Sequence, residues 1–207
     1  GSGGNNNDAP PVLTPLKTTI QTITDLKTGN VYEGPVTDDG KRHGDNAELR
    51  TSEGKAKFVG RFVDNRPFCG TVMKDDETYV GTLLNGRYHT LYCDCNTSVH
   101  RNGKDGGTLS FADGTTYTGT FVGGRYEGVG RLDMPDGSIY KGGFREGEYD
   151  GKGALKSEDG CVYKGMWMAG KRDGEGIEAD PETGEKYEGQ FRNDVRAGPG
   201  KMLRGDG

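Results

Sequence analysis

Apolar and polar positions alternate with a period of two through much of the chain, the pattern of strands that bury one face. In Tyr117-Thr118-Gly119-Thr120-Phe121, the two rings and the glycine fall on one face and the threonines on the other. The same alternation recurs in Tyr140-x-Gly142-x-Phe144, Tyr163-x-Gly165-x-Trp167 and Tyr187-x-Gly189-x-Phe191. A glycine turn follows, at Gly123-Gly124 or Gly147, and predicts a reversal into a second strand that opens Gly128-x-Gly130-x-Leu132 or Gly151-x-Gly153-x-Leu155. The glycines of that second strand leave space that rings from neighbouring strands can cover. Asp136-Gly137 and Asp159-Gly160 supply positive-φ turns into the next strand.

The pattern is a repeat. Units start at Tyr117, Tyr140 and Tyr163 with steps of 23 residues, and the next step, to Tyr187, is 24. Looser copies start at Tyr32, Phe58 and Tyr79, and in all seven the second residue after the ring is glycine. Each unit predicts a β-hairpin, and successive hairpins pair edge to edge. The expected fold is all-β: an elongated, single-layer, twisted antiparallel sheet of about seven hairpin repeats, with essentially no helix. One hairpin alone is marginal in water, so the stability has to come from rings stacked across repeats.

Residues 1–15 read as a disordered tail of Gly, Asn and Pro with almost nothing to bury. Residues 16–31 read as a half-repeat capping the first edge of the sheet: Ile20 to Thr24 suit a strand, and Gly29 stands before Tyr32 as Gly137 stands before Tyr140. Residues 32–207 are the repeat rod. Tyr79 to Tyr117 spans 38 residues, which places an insertion of about 15 near 90–105. In the sixth unit Asp180-Pro-Glu-Thr-Gly184 replaces the usual turn. A rod that stops at a turn leaves an open edge strand, which a continuing chain, a partner or a second copy would cover.

Composition narrows the class. Hydrophobic residues make up 30% of the chain and charged residues 29%, too little aliphatic side chain for a thick core, so the core has to be a thin aromatic ladder. No run of 18 apolar residues is present to make a membrane-spanning helix. The net charge of −5 argues against a general binder of nucleic acid.

The spaced rings, glycines and Asp-Gly turns resemble the MORN repeat, strongly from Tyr117 onward and loosely from residue 32. The resemblance implies an elongated rod of β-hairpins in a single sheet. It also implies a scaffold that binds proteins, often at cytoskeletal, ciliary or membrane-associated structures and in some members as a homodimer. Phosphoinositide contact is a further implication. The function expected is therefore a non-catalytic, cytoplasmic interaction scaffold. The alternatives are a peripheral membrane adaptor with weak lipid contact through turn residues such as Arg125, Lys171 and Arg172, or the targeting arm of a larger enzyme.

Three sets of residues are candidates for binding. The ring column Tyr117, Phe121, Tyr140, Phe144, Tyr163, Trp167, Tyr187 and Phe191 is core, but one layer of sheet has nothing to lay over it. Tyr88, Tyr126 and Tyr149 form a second set beside the turn glycines, expected to line an exposed edge. Glu127, Asp150 and Asp173 recur at one position of the repeat. They read either as a solvated turn edge or as a stripe that docks a basic segment. In the insertion, His89, Cys93, Cys95 and His100 offer the donors of a tetrahedral zinc site, although Cys-x-Cys is tighter than the usual structural spacing. The other readings are a pair of free thiols in a loop and a strained disulfide, which this separation disfavours. Cys69 and Cys161 read as small packing residues, and the four unevenly placed cysteines suggest a reducing compartment. Catalysis is not expected. No serine or cysteine has a nucleophile-elbow context, and the Gly-x-Gly pairs open strands rather than helices, so no anion cradle forms.

Overall fold

The computed structural model describes residues 16–90 and 106–204. Within them sixteen strands form one antiparallel sheet, and there is no helix. The first half holds β1 (Thr18–Thr24), β2 (Val31–Thr37), β3 (Gly44–Arg50), β4 (Ala56–Val63), β5 (Arg66–Lys74) and β6 (Glu77–Leu84). After β7 (Arg87–His89) and β8 (Gly107–Phe111) come β9 (Thr116–Val122), β10 (Arg125–Asp133), β11 (Ile139–Arg145) and β12 (Glu148–Lys156). The last four are β13 (Val162–Met168), β14 (Lys171–Ala179), β15 (Lys186–Arg192) and β16 (Val195–Leu203).

Strand order follows chain order, because each strand is joined to its neighbour by a short turn. The one departure is at the insertion. β7 pairs with the end of β6 (Thr82 to Leu84) and β8 with its beginning (Glu77 to Val80), so together they form one interrupted second strand. The insertion therefore leaves and re-enters the sheet in the middle of a strand, and the ladder continues past it.

Register aligns the glycines. Gly107, Gly119, Gly130, Gly142, Gly153, Gly165, Gly176, Gly189 and Gly200 are paired one to the next, an unbroken row from β8 to β16. The row is the floor on which the tyrosines lie. Tyr117 bends along its own strand and donates its hydroxyl to the Thr120 carbonyl at 3.0 Å. Tyr140 does the same to Gly143, Tyr163 to Met166 and Tyr187 to Gln190, at 2.9, 2.9 and 3.2 Å. A Cβ on Gly119 or Gly130 would come within 2.4 or 2.5 Å of the Tyr117 hydroxyl. Glycine is required here by close approach, and one ring covers a glycine of its own strand and one of the next.

Turn chemistry closes the other end of each unit. Gly137 has φ of 86°, and the Asp136 carboxylate accepts from the Ser138 N–H at 2.8 Å, the positive-φ turn that Asp-Gly specifies. The two variant turns are alike. Asp25 accepts from the N–H groups of Lys27 and Thr28, and Asp180 from those of Glu182 and Thr183. Gly29 and Gly184, each with φ of 70°, close them.

β1 pairs with β2 over Thr18 to Thr24, in the segment expected to cap the sheet. Cys69 is fully buried in β5. It is disulfide-bonded, which corrects the reading of it as a lone packing residue. Cys161 is a free thiol of intermediate burial. The expected tail, residues 1–15, lies outside the described residues, as does nearly all of the insertion.

Candidate functional site

The ring face is built in tiers above the glycine row. The first tier is the herringbone of tyrosines and the fifth residue of each unit. Tyr117 meets Phe121 edge to face at 5.0 Å and Phe144 of the next unit at 5.0 Å. Tyr140 meets Phe144 and Trp167 at 5.1 and 5.4 Å, and Tyr163 meets Trp167 and Phe191 at 5.1 and 4.9 Å. Tyr187 closes the series on Phe191 at 5.3 Å. All eight of these residues are buried, and such pairs contribute about 0.5–1.5 kcal/mol each beyond the area they bury. The column expected as core is brought together as one continuous core.

The second tier was not foreseen. Tyr126 lies on Tyr117 with centroids 3.8 Å apart and planes at 12°, Tyr149 on Tyr140 at 3.7 Å, and Tyr88 on Tyr79 at 4.0 Å. These three do not line an exposed edge. They are half-buried over the middle of the ring face. The same place, nine residues after the repeat tyrosine, holds Arg172 and Arg196. Their guanidinium carbons sit 5.4 Å from the Tyr163 ring centre and 4.9 Å from that of Tyr187. Arg42 sits 5.5 Å over Tyr32, and Pro67 holds the corresponding place in the Phe58 unit. The residue in this place is thus a phenol, a guanidinium or a proline ring. Counting nine positions on from each repeat ring is the signal that finds Arg172 and Arg196.

Burial pushes the phenols of Tyr79, Tyr117, Tyr140, Tyr126 and Tyr149 above the usual tyrosine range. For Tyr88 burial acts first, and its hydrogen bond to Glu77 at 2.5 Å adds to it. Glu178 is drawn upward by burial, but Arg196 and Arg172, at 2.7 and 2.5 Å, hold it net below the usual carboxylate range.

The acidic column joins repeats. Glu127 accepts from the Glu146 N–H at 3.1 Å, and Asp173 from the Asn193 N–H at 3.3 Å. Both donors are turn residues with positive φ in the following unit. Beside them Gly147 donates to the Tyr126 carbonyl at 3.0 Å and Gly170 to the Tyr149 carbonyl at 2.9 Å. Each hairpin tip is tied to the unit before it. Asp150 pairs with Arg145 at 2.9 Å. Two of the cations considered for lipid contact are also paired, Arg125 with Glu146 at 3.4 Å and Arg172 with Glu178 and Asp194.

Notches open on the ring face between successive second-tier residues. One of about 390 Å³ lies between Tyr149 and Arg172 and is lined by Tyr163, Trp167 and Glu178. Another, of about 430 Å³, lies between Pro67 and Tyr88, where Leu83 stands in place of an aromatic ring. A third, of about 620 Å³, lies between Arg42 and Pro67. Trp167 Nε1 is buried with no hydrogen-bond partner among the described residues.

Of the four residues considered for zinc, His89 ends β7, its Nδ1 3.3 Å from the Thr90 carbonyl. Cys93, Cys95 and His100 lie outside the described residues. No cluster of three or more metal-ligating side chains occurs among the described residues.

The MORN repeat family matches four consecutive segments, residues 117–139, 140–162, 163–182 and 187–207. No curated protein sequence matches the chain. Among solved structures it is similar to the SAS-4 TCP domain of Drosophila melanogaster, solved in complex with a proline-rich motif of Ana2. The identity is 15% and the TM-score 0.36, over 88% of this chain and 98% of that one. It is also similar to the TCP10 domain of Danio rerio CPAP, solved with a peptide of STIL, at 16% identity and TM-score 0.32, over 82% and 74%.

Proposed function

Since residues 117–207 are a run of MORN repeats, we propose that the protein is a non-catalytic interaction scaffold that seats a segment of a partner protein along its ring face. The observation that carries this reading is that the second tier is only half-buried and has nothing above it among the described residues. Tyr126 and Tyr149 bury one face of the ring on the tyrosine below and leave the rest at the surface. Planar, amphipathic groups beside apolar notches are what partner segments anchor to. The paired acids and arginines around them fix the rim. The setting we propose is a cytoskeletal or membrane-associated structure.

The test uses substitutions that change the face and keep the fold. Tyr126→Arg together with Tyr149→Arg places at both positions the residue type found at Arg172 and Arg196. Partners captured by proximity labelling and quantified by pull-down should fall at least about tenfold, a loss of roughly 1.4 kcal/mol, while the melting temperature barely moves. Unchanged recovery with the double variant would assign binding to another surface.

A further inference from the structure

The face opposite the rings changes character along the rod. On β3 and β4 its charges are matched, as Glu48 is by Arg50 and Lys57. On β8 and β9 it carries hydroxyls, with Thr108 opposite Thr118 and Ser110 opposite Thr116. On β11 to β13 it carries four lysines around one small residue. Ala154 stands opposite Lys141 on β11 and opposite Lys164 on β13. Lys152 and Lys156 lie two residues to either side of it on β12, on the same face. All four lysines are exposed, and none pairs with a carboxylate among the described residues. The same position one repeat earlier is Arg131, which Asp133 neutralises at 2.5 Å. One repeat later it is Ile177, whose neighbours Lys164, Glu175 and Glu188 mix the two signs. Unmatched positive charge is therefore gathered around Ala154.

We propose that this diamond of lysines docks a short acidic segment of a partner protein. Charge complementarity carries the argument. By strand geometry Lys141 and Lys164 stand about 10 Å apart across the sheet, and Lys152 and Lys156 about 13 Å apart along it. Ala154 leaves the middle open, so the flexible stems bring ammonium groups over it from every side. Like charges held this close raise the potential over a small area. Carboxylates of an extended segment seated there meet cations that the described residues leave unmatched. The occupant has to be small. The chain as a whole has a net charge of −5, and on β14 and β15 the same face presents Glu175 and Glu188. A bilayer laid along the face meets those acids as well as the lysines, whereas a short segment meets the lysines alone, since charges beyond about 8 Å are screened at physiological salt. The site lies on the face away from Tyr126 and Tyr149, and it does not rest on the ring-face reading.

The test titrates the full chain into a fluorescein-labelled poly-glutamate peptide and reads anisotropy. Wild type should bind at low salt and weaken as salt is added. Lys141→Glu with Lys164→Glu should weaken binding at least about tenfold, with an unchanged circular-dichroism melt because both side chains are exposed. Lys141→Arg with Lys164→Arg keeps the charge and should keep the binding. Lys17→Glu with Lys27→Glu makes the same change in net charge at exposed positions far along the rod, and should leave the affinity near wild type. Vesicles of phosphatidylcholine and phosphatidylserine should not co-sediment the chain through these lysines. Absence of peptide binding by wild type would overturn the proposal, as would equal losses in the two Lys→Glu pairs. Vesicle binding that is lost in Lys141→Glu with Lys164→Glu would also overturn it, and would assign the lysines to a membrane.

Discussion

Tyr126 lies flat on Tyr117, centroids 3.8 Å apart, and Tyr117 lies flat on the glycine pair Gly119 and Gly130. The sheet, the first ring and the second ring form a vertical stack. Its lowest level tolerates no side chain, and its top reaches the surface.

The floor of that stack has to be glycine. Gly130→Ala would bring a methyl group within 2.5 Å of the Tyr117 hydroxyl and 2.6 Å of its ring. The ring has to leave its seat and lose its bond to Thr120. Overpacking of this kind costs about 1–3 kcal/mol. Thermal unfolding of Gly130→Ala beside Thr118→Ala, on the opposite face, should show a lowered midpoint for the first and little change for the second.

The top of the stack asks only for a planar group. Tyr126→Arg should stay within about 1 kcal/mol of wild type, because a guanidinium over a tyrosine ring contributes on the order of 0.5–2 kcal/mol. Tyr126→Ala leaves Tyr117 uncovered, and should cost about 1–3 kcal/mol, less than a fully buried aromatic. Denaturant titration of both variants checks the ordering.

Trp167 takes a place held by phenylalanine at Phe121, Phe144 and Phe191, and its buried indole N–H has no partner among the described residues. Trp167→Phe removes that unsatisfied donor and some ring volume, opposing effects that should leave stability within about 1.5 kcal/mol. Phe144→Ala, which opens a cavity between Tyr117 and Tyr140, should cost about 3–5 kcal/mol. The two melts, run together, separate the need for a ring from the need for a particular ring.

Raised tyrosine pKa values make the fold sensitive to alkali. In the unfolded chain these phenols ionise near pH 10, while burial holds those of Tyr79, Tyr117 and Tyr140 higher in the native sheet. Their contribution is fully present below about pH 10 and is lost as pH rises through the native values. Absorbance at the phenolate band and far-ultraviolet circular dichroism should therefore change together above about pH 10. Ionisation of these phenols with the sheet intact would contradict the packing described.

Much of this was legible in the chain, and the rest was hidden for definable reasons. Period-two alternation, the glycine column and the Asp-Gly turns point directly to hairpins, because each feature acts within a few residues. Tyr117, Phe121, Tyr140 and Phe144 could be assigned to one face from strand geometry alone. The position of Tyr126 could not, because a bulge at Gly128, with φ of 63°, shifts the register between Glu127 and Gly130. In the acidic column, Glu127 and Asp173 accept from backbone N–H groups one unit on, which side-chain patterning does not display, while Asp150 pairs with Arg145 of its own unit. The equivalence of the turns after Asp25 and Asp180 was there to be read as Asp-x-x-Thr-Gly.

Among the described residues the rod is one sheet with a single tiered face and no second layer over it. Small-angle X-ray scattering of the monomer tests this most directly. Fifteen strand positions at about 4.8 Å give a ribbon roughly 70 Å long and one sheet thick. The expected particle is flat and extended, with a radius of gyration above about 20 Å by this geometry. A value near 17 Å, that of a compact domain of this length, would contradict it.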